Sequence, residues 1–226
     1  MKLTNIKLQY GNKIIYDNFN IEIPENKITC ILGPSGCGKT SLLNIIAGIV
    51  KYEGNVDKKS DEISFVFQNP LLIDHLTVYK NVEFVLKQAV KNKKERAVII
   101  ENILNKTELL TEKDSYPSSL SGGMAQRLSL ARAFAYKSDI LLMDEPFKGL
   151  DISLKKRIIT VFSDLYSTDP KTTVFVTHDI DEAILLADKI IVLGNNSIVY
   201  EKNLHSESTR NLIDYSDLKE EIYAIL

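Results

Sequence analysis

One eight-residue stretch, GPSGCGKT at Gly33–Thr40, constrains the fold of this chain more than any other. It follows the apolar run KITCIL and precedes a helical pattern that continues to Ile49. Glycines let such a loop curl so that its backbone N–H groups point at phosphate oxygens, and the helix that follows adds its positive end. The pattern G-x-x-x-x-G-K-[ST] in this context therefore predicts a strand, a phosphate-binding loop and a helix.

Two side chains at the end of this loop have predicted roles of their own. The Lys39 ammonium would lie between the β- and γ-phosphates, and the Thr40 hydroxyl would ligate Mg²⁺. Cys37 occupies a variable position and is interpreted as a spectator. A chance glycine-rich turn is the alternative, and the strand and helix that flank the loop argue against it. The residues predicted to contact the nucleotide here are Gly33, Pro34, Ser35, Gly36, Cys37, Gly38, Lys39, Thr40 and Ser41.

The composition excludes several classes of function. The chain has 226 residues and a formal net charge of -2, so it lacks the basic surface of a nucleic-acid-binding protein. Cys30 and Cys37 are too few for a disulfide framework, and no Cys/His spacing suggests zinc. The N-terminal residues lack the apolar core of a signal peptide, and no apolar run approaches the ~20 residues that cross a bilayer. We therefore expect a cytosolic chain that would need another polypeptide to act at a membrane.

The order of hydrophobic patterns predicts a single α/β domain over residues 1–226. Two N-terminal segments, NIKLQY and NFNIEI, alternate at period two as half-buried strands do. Residues from about 77 to 136 are predicted to be helical, and from residue 139 buried strands alternate with helices. We predict a P-loop NTPase with a mostly parallel sheet core, an N-terminal antiparallel β subdomain and an inserted α-helical subdomain. This insertion would lie between the Gln68 loop and the strand at 139–145, and residues 206–226 would form a C-terminal helix.

Polar side chains follow three of the predicted buried strands. ILLMDEP ends in Asp144 and Glu145, TVFVTH ends in His178, and SFVFQ ends in Gln68. Doubly wound folds bind ligands at the carboxyl edge of the sheet. Asp144 would join the Mg²⁺ shell, and Glu145 could polarise an attacking water. His178 would contact a γ-phosphate, and Gln68 could reach both a metal and a water. The alternatives are a solvated acidic turn at 144–145 and a structural histidine at 178.

A second pattern typical of an anion site opens the segment SLSGGMAQRLSLARAF at 119–134. Ser121 can accept a backbone hydrogen bond at the start of a helix. Gly122 and Gly123 would let the backbone approach a phosphate closely, and the helix dipole favours an anion. An ordinary N-capped helix is the alternative. Because the loop at 33–40 already supplies a phosphate site, the second site needs its own explanation.

Six ordered motifs resemble the nucleotide-binding subunit of an ATP-binding cassette (ABC) transporter. They are Tyr10, GPSGCGKT, Gln68, LSGGM, ILLMDEP with GLD, and His178, and the resemblance covers about Leu3 to Tyr200. It implies an ATPase that uses ATP and Mg²⁺, with Tyr10 stacked on adenine and Tyr16 as the alternative. The metal ligands that it implies are Thr40, Gln68 and Asp144. The catalytic residues that it implies are Glu145 as general base, His178 at the γ-phosphate, and Gln68.

The resemblance also explains the second phosphate site. In this family two subunits are expected to pack head to tail with two ATP molecules between them. Each ATP would lie on the phosphate loop of one copy and under the LSGG segment of the other. The residues implied to act in trans are Ser121, Gly122, Gly123 and Asp151.

Smaller features of the sequence resemble an importer. LSGGM-x-QR with MDEPF-x-x-LD is similar to the nitrate/sulfonate/taurine importer group, which also takes in thiamine-precursor importers, although KGLD departs from the ALD of many members. The implied partners are multi-spanning membrane permease subunits and an extracytoplasmic solute-binding protein, with this chain at the cytoplasmic face of the cell membrane. NPLLIDHLTV, after Gln68, would help to form the groove for the permease, with internal packing as the alternative. A non-transport ABC ATPase of cell division or membrane signalling is the alternative function.

Overall fold

The computed structural model describes residues 1–204 and 212–226. Its strands are β1 (Lys2–Tyr10), β2 (Lys13–Glu22), β3 (Ile28–Leu32), β4 (Glu53–Asp57), β5 (Ile63–Val66), β6 (Ile140–Asp144), β7 (Thr172–Val176), β8 (Lys189–Leu193) and β9 (Ile198–Asn203). Its α-helices are α1 (Lys39–Ile46), α2 (Val78–Leu86), α3 (Lys93–Lys106), α4 (Gly122–Ala135), α5 (Ile152–Thr168), α6 (Ile180–Leu186) and α7 (Ser216–Tyr223).

A six-stranded sheet forms the centre of the molecule, in the order β5-β6-β7-β3-β8-β9. Its strands pair in parallel except for β9, which runs antiparallel to β8. β3, β7 and β8 are buried along their whole length, as strands of a parallel sheet covered on both faces must be. The predicted α/β fold with a mostly parallel sheet is therefore confirmed. Because β7 lies between β3 and β6, the loop after β3 faces the polar ends of these neighbours.

A separate three-stranded antiparallel sheet, in the order β2-β1-β4, makes up the N-terminal part of the chain. Leu3, Ile6 and Leu8 of β1 are buried on its inner face. They share one hydrophobic cluster with Ile31 of β3 and Leu42 of α1. This packing holds the small sheet against the first helix of the larger one, so that the end of β1 lies beside the loop between β3 and α1.

Along the chain, helices α2, α3 and α4 come after β5 and before β6, where the sequence predicts a helical subdomain. Their buried residues, which include Val82, Ile100 and Leu128, belong to the same hydrophobic cluster as Val66 and Phe175 of the central sheet. The helical segment is thus packed on the sheet rather than held away from it.

One carboxylate links the end of α3 to helices α4 and α5. Glu108, just after α3, accepts a 2.6 Å bond from Arg127 of α4 and another of 2.6 Å from Arg157 of α5. Arg127 is buried and also donates to the carbonyl oxygen of Thr107 at 3.0 Å. Burial lowers the pKa of Arg127, and the nearby Glu108 carboxylate opposes that shift.

The C-terminal helix is shorter than the sequence predicts. Residues 206–211 of the predicted helix lie outside the described residues, a 3-10 turn covers Leu212–Tyr215, and only Ser216–Tyr223 is α-helical. Leu218 and Ile222 are its buried residues. They lie one turn apart, so the helix has a narrow apolar stripe to bury, and that stripe faces α6.

Among the described residues, none of the helices combines the length and the apolar character that crossing a bilayer demands.

Candidate nucleotide-binding site

The loop between β3 and α1 is shaped by two glycines that no other residue could replace without strain. Gly38 has φ 111° and is the N-cap of α1, and a Cβ there would lie 2.8 Å from the Tyr16 hydroxyl. Gly33 has φ 154°, and a Cβ there would lie 2.6 Å from the carbonyl oxygen of Leu193. The loop is therefore packed against β2 and β8 at both ends. This close packing leaves no room for a side chain at either glycine.

The two tyrosines near this loop have different environments. Tyr16 is buried, and its hydroxyl donates to the carbonyl oxygen of Gly38 at 3.0 Å. Burial raises the pKa of Tyr16. Tyr10 is 48% exposed at the end of β1 and lines a cavity of about 320 Å³ with Gly36, Lys39 and Glu145. Tyr16 is thus a core residue that supports the loop, and Tyr10 is the aromatic ring available to a ligand.

Lys39 places a positive charge inside the loop. Its side chain is almost fully buried, and Nζ donates to the carbonyl oxygens of Gly33 at 2.6 Å and Pro34 at 3.0 Å. These bonds compensate the burial of the ammonium group. Because neutral carbonyls rather than a carboxylate hold it, its charge is left for an anionic ligand.

The first residues of α1 and the end of β6 meet at the mouth of the loop. The Thr40 hydroxyl donates to Oδ1 of Asp144 at 3.2 Å. Burial raises the pKa of Asp144, the hydrogen bond from Thr40 opposes the shift, and the neighbouring Glu145 adds to it. A cation at this point would offset the cost of burying the ionised carboxylate.

These oxygen donors fit Mg²⁺. The ion prefers one or two carboxylates together with phosphate oxygens and water. Within residues 1–204 and 212–226, no group of three or more His, Cys, Asp and Glu side chains could hold a metal ion. A cation beside Thr40 and Asp144 would therefore need ligands other than these side-chain types, such as phosphate oxygens, water or a side-chain amide.

Glu145 leaves the sheet in an unusual backbone conformation. Its φ is 44°, a left-handed value that is uncommon outside glycine, and its N–H donates to the carbonyl oxygen of Val176 at 2.9 Å. Its side chain is only 14% exposed, and Oε2 lies 2.5 Å from Nζ of Lys148 and 3.6 Å from Nδ1 of His178. This oxygen is buried and accepts no hydrogen bond of good geometry, so its contact with Lys148 is an ion pair. The Glu145 carboxylate therefore lies between the turn after β6, which carries Lys148, and the turn after β7, which carries His178.

A charged network that the sequence analysis missed fixes the turn around His178. Lys155 of α5 bonds Asp179 at 2.6 Å and Glu182 of α6 at 2.8 Å. The other carboxylate oxygen of Glu182 accepts a 2.6 Å bond from Thr177, and Asp179 caps α6. Glu182 is almost fully buried, and burial raises its pKa while Lys155 and Thr177 oppose that shift. The sequence did carry one signal for this turn. The spacing D-x-x-E at 179–182 is typical of a helix start, with a capping residue followed by a carboxylate on the first turn.

His178 and Gln68 lie at strand ends, as the sequence predicts, but both are exposed. The His178 side chain is 61% exposed, two residues beyond β7. Gln68 lies in a bend two residues beyond β5 and is not among the residues that line the loop cavity. Since Val66 pairs with Met143, the bend at Gln68 lies alongside the end of β6. Their contacts with a nucleotide remain predictions.

The start of α4 differs from the sequence interpretation at one glycine. Ser121 caps the helix by accepting from the Met124 N–H at 3.3 Å, and a Cβ at Gly122 would meet open space. Gly123 is buried, and a Cβ there would lie 2.5 Å from Cδ1 of Leu154. A Cβ at Gly122 would thus face solvent, whereas the packing of α5 leaves no room for a Cβ at Gly123. Asp151 likewise has a structural task, since it caps α5 through the Leu154 N–H at 2.9 Å.

An apolar groove of about 520 Å³ lies between the edge strand β5 and helices α2 and α4. Phe65 and Phe67 stack there with ring centroids 4.1 Å apart. Leu71 and Phe84 are more than half exposed, and Arg132 holds the Leu71 carbonyl oxygen at 2.5 Å. Part of the predicted apolar loop after Gln68 is thus surface rather than core.

Comparison with known proteins identifies the family. A sequence profile described as "ABC transporter" matches residues 16–148, more than half of the chain. The Fe(3+) ions import ATP-binding protein of Fusobacterium nucleatum is 40% identical over 88% of this chain and 56% of its own length. A sulfate/thiosulfate import ATP-binding protein of Shewanella oneidensis is 37% identical over 87% of this chain and 60% of its own. The chain therefore spans little more than half the length of these two relatives.

A third relative matches over almost the whole chain. It is an uncharacterized ABC transporter ATP-binding protein of Methanocaldococcus jannaschii, 37% identical over 99% of this chain and 89% of its own length. The nitrate/sulfonate/taurine group is not confirmed by these relatives, whose names refer to iron and sulfate import.

Solved structures agree with the sequence matches. A dimeric ATP-binding cassette in a post-hydrolysis state, bound to ADP and Pi, has a TM-score of 0.78 at 33% identity and covers 91% of this chain and 99% of its own. A second dimeric structure, described as a bacterial ABC transporter cassette, has a TM-score of 0.79 at the same identity and coverage. The motifs, the fold and these matches together show that this chain belongs to the ABC transporter family and carries its ATP-binding domain.

Proposed function

We propose that this chain is the ATP-hydrolysing subunit of a membrane transporter that imports a small solute. The pairing of Thr40 with Asp144 at the mouth of a preformed phosphate loop, with Glu145 on the next residue, is the observation that carries this proposal. It brings together the donors for Mg²⁺, the cradle for phosphates and a carboxylate that can accept a proton. The import names of two relatives support the direction of transport.

Different residues of one chain bind different parts of ATP. Tyr10 stacks on adenine, the backbone N–H groups of the loop bind the phosphates, and Lys39 binds between the β- and γ-phosphates. Thr40, Asp144 and Gln68 would hold Mg²⁺, which would supply positive charge against the phosphates.

Two residues at strand ends act on the reacting groups. Glu145 accepts a proton from the attacking water, and His178 stabilises the γ-phosphate in the transition state. The Lys155 network keeps the His178 turn in place against α5.

A second copy of the chain completes each site. Ser121, Gly122, Gly123 and Asp151 of one copy contact the ATP that lies on the loop of the other. The exposed start of α4 supports this arrangement, because the open space at Gly122 leaves room for an anion. The dimeric cassettes of similar fold support it further. ATP binding closes the head-to-tail dimer, and hydrolysis reopens it.

The groove beside β5 receives a short segment of a multi-spanning permease. Its apolar lining with Phe65, Phe67 and Phe84 suits the apolar face of a helix. Because Gln68 lies just beyond the strand that borders the groove, γ-phosphate binding at Gln68 moves the helical segment and its partner together.

The chain then acts at the cytoplasmic face of the membrane, with an extracytoplasmic solute-binding protein delivering the cargo. The sequence motifs favour a solute of the nitrate, sulfonate, taurine or thiamine-precursor group.

Co-purification tests the transport role. The chain, extracted from membranes in detergent, should bring with it a multi-spanning permease. Recovery of a cell-division or cell-wall regulator without any permease would favour the non-transport alternative. Substituting Phe84 with Asp in the groove should release the permease while ATP binding by the isolated chain is unchanged, because the groove and the loop cavity have no residue in common.

The dimeric site has its own kinetic test. ATPase rate should rise more steeply than linearly with the concentration of dilute chain, because each site needs two copies. Strict proportionality would contradict the dimeric site and leave hydrolysis by a lone chain.

A further inference from the structure

The turn that follows β6 brings a lysine back onto the proposed general base. The Lys148 N–H donates to the carbonyl oxygen of Glu145 at 3.2 Å and closes this turn. The turn is fixed at its middle, because Phe147 is fully buried and Gln126 of α4 donates to the carbonyl oxygen of Pro146 at 2.6 Å. The two ends of the turn, Glu145 and Lys148, are therefore held with their side chains in contact.

Two side-chain nitrogens face the same oxygen of Glu145. Nζ of Lys148 lies 2.5 Å from Oε2, whereas Nδ1 of His178 lies 3.6 Å from it, beyond hydrogen-bond distance. Lys148 is therefore the nearer partner of this oxygen. Its side chain is 45% exposed, so the ammonium stays hydrated while it holds a buried carboxylate oxygen.

We propose that Lys148 is a positioning residue for ATP hydrolysis. It holds Oε2 of Glu145, so that Oε1 is directed to the loop cavity and His178 is left to contact the nucleotide. This inference rests on the proposed role of Glu145 as general base. The left-handed backbone at Glu145 agrees with a functional role for this turn, because strained residues cluster at functional sites.

Substitution of Lys148 in the full chain tests the proposal. Lys148→Gln should lower kcat by about 10- to 100-fold through misplacement of the carboxylate. KM for ATP, and the affinity for a fluorescent ATP analogue, should stay at the wild-type values because the phosphate loop is untouched. Lys148→Arg should restore most of kcat, since a guanidinium can hold the same oxygen. Lys156→Gln, at an exposed lysine of α5, is the matched control and should match the wild type in kcat and KM.

A double substitution separates this inference from the proposed function. Because Lys148 acts through Glu145, Lys148→Gln should have no further effect in a Glu145→Gln background. If Glu145→Gln alone hydrolyses ATP normally, the general-base role fails and the role of Lys148 fails with it. If Glu145→Gln is inactive but Lys148→Gln keeps the wild-type kcat, raises KM instead, or loses ATP binding, only the positioning role is overturned.

Discussion

The two glycine-containing phosphate patterns of this chain are built in opposite ways. The loop at 33–40 is held by tertiary contacts: Tyr16 bonds Gly38, Lys39 is buried, and Thr40 bonds Asp144. The start of α4 is held mainly by its own cap at Ser121, and beside it Gly122 faces open space. The first pattern is a finished half of the proposed site, whereas the second has an exposed half at Gly122 that no other element in the described part of the chain covers. Two similar glycine patterns at helix starts are therefore enclosed or open according to which elements pack around them.

The largest expected effect on hydrolysis comes from Glu145, beside the phosphate loop. Glu145→Gln keeps the size of the side chain but cannot accept a proton, so kcat should fall about 10²- to 10⁴-fold. ATP should still bind, and an ATP-bound dimer should accumulate. Phosphate release at saturating ATP and size-exclusion chromatography with ATP measure both results. Asp164→Asn, at an exposed carboxylate of α5, is the control, and normal turnover by Glu145→Gln would reject the general base.

The next largest effect is expected at the exposed start of α4, on dimerisation. Ser121→Arg places a long side chain where the nucleotide of a second copy would lie, so it should block ATP-driven dimerisation and hydrolysis while a lone chain binds ATP normally. Equilibrium binding of an ATP analogue and light scattering separate the two properties. Ser121→Asn keeps a side chain that can cap α4 and serves as the control for folding. Loss of ATP binding by the lone Ser121→Arg chain would contradict a site completed in trans.

A smaller effect compares the two adjacent glycines of α4. Gly123→Ala would put a Cβ 2.5 Å from Leu154 Cδ1, so Leu154 must shift, and this variant should be less stable than Gly122→Ala by about 1–3 kcal/mol. Gly122→Ala meets open space and should raise the free energy of unfolding by up to ~1 kcal/mol through better helix propensity. Urea unfolding measures both changes. Equal stability of the two variants would show that α5 does not pack on Gly123 as closely as the structure has it.

The smallest effect distinguishes the two tyrosines. Tyr16→Phe removes the hydrogen bond to Gly38 and should lower the free energy of unfolding by about 0.5–1.5 kcal/mol. Tyr10→Ala should leave stability nearly unchanged but weaken ATP binding, because an exposed ring that stacks on adenine contributes only when ATP is present. Thermal unfolding and ATP titration of both variants test this. A Tyr10→Ala chain that binds ATP as the wild type does would remove Tyr10 from the site.

Much of the fold could be predicted because its signals are local. The buried strands are short apolar runs that end in polar residues, and their alternation with helices predicts a parallel sheet. The C-terminal helix was predicted too long, because the spacing of a few apolar residues does not show where a helix stops. Its α-helical part is set by the burial of Leu218 and Ile222 near α6.

The parts of the site that the sequence could not predict depend on contacts between distant segments. The sequence favours Tyr10 but leaves Tyr16 as an alternative, and only the packing of β2 against the loop makes Tyr16 a core residue. The contact between Lys155 and Glu182 joins two helices whose spacing along the chain carries no motif.

The family, the phosphate loop and the carboxylates at the strand ends could be read from the sequence, because each of them depends on neighbouring residues. The contacts between groups could not: Thr40 meets Asp144, Lys148 meets Glu145, and Gly123 meets Leu154 only in the folded chain. The physical reason is that a motif fixes the chemistry and backbone of a segment. The distance between two segments depends on how sheets and helices pack over the whole chain.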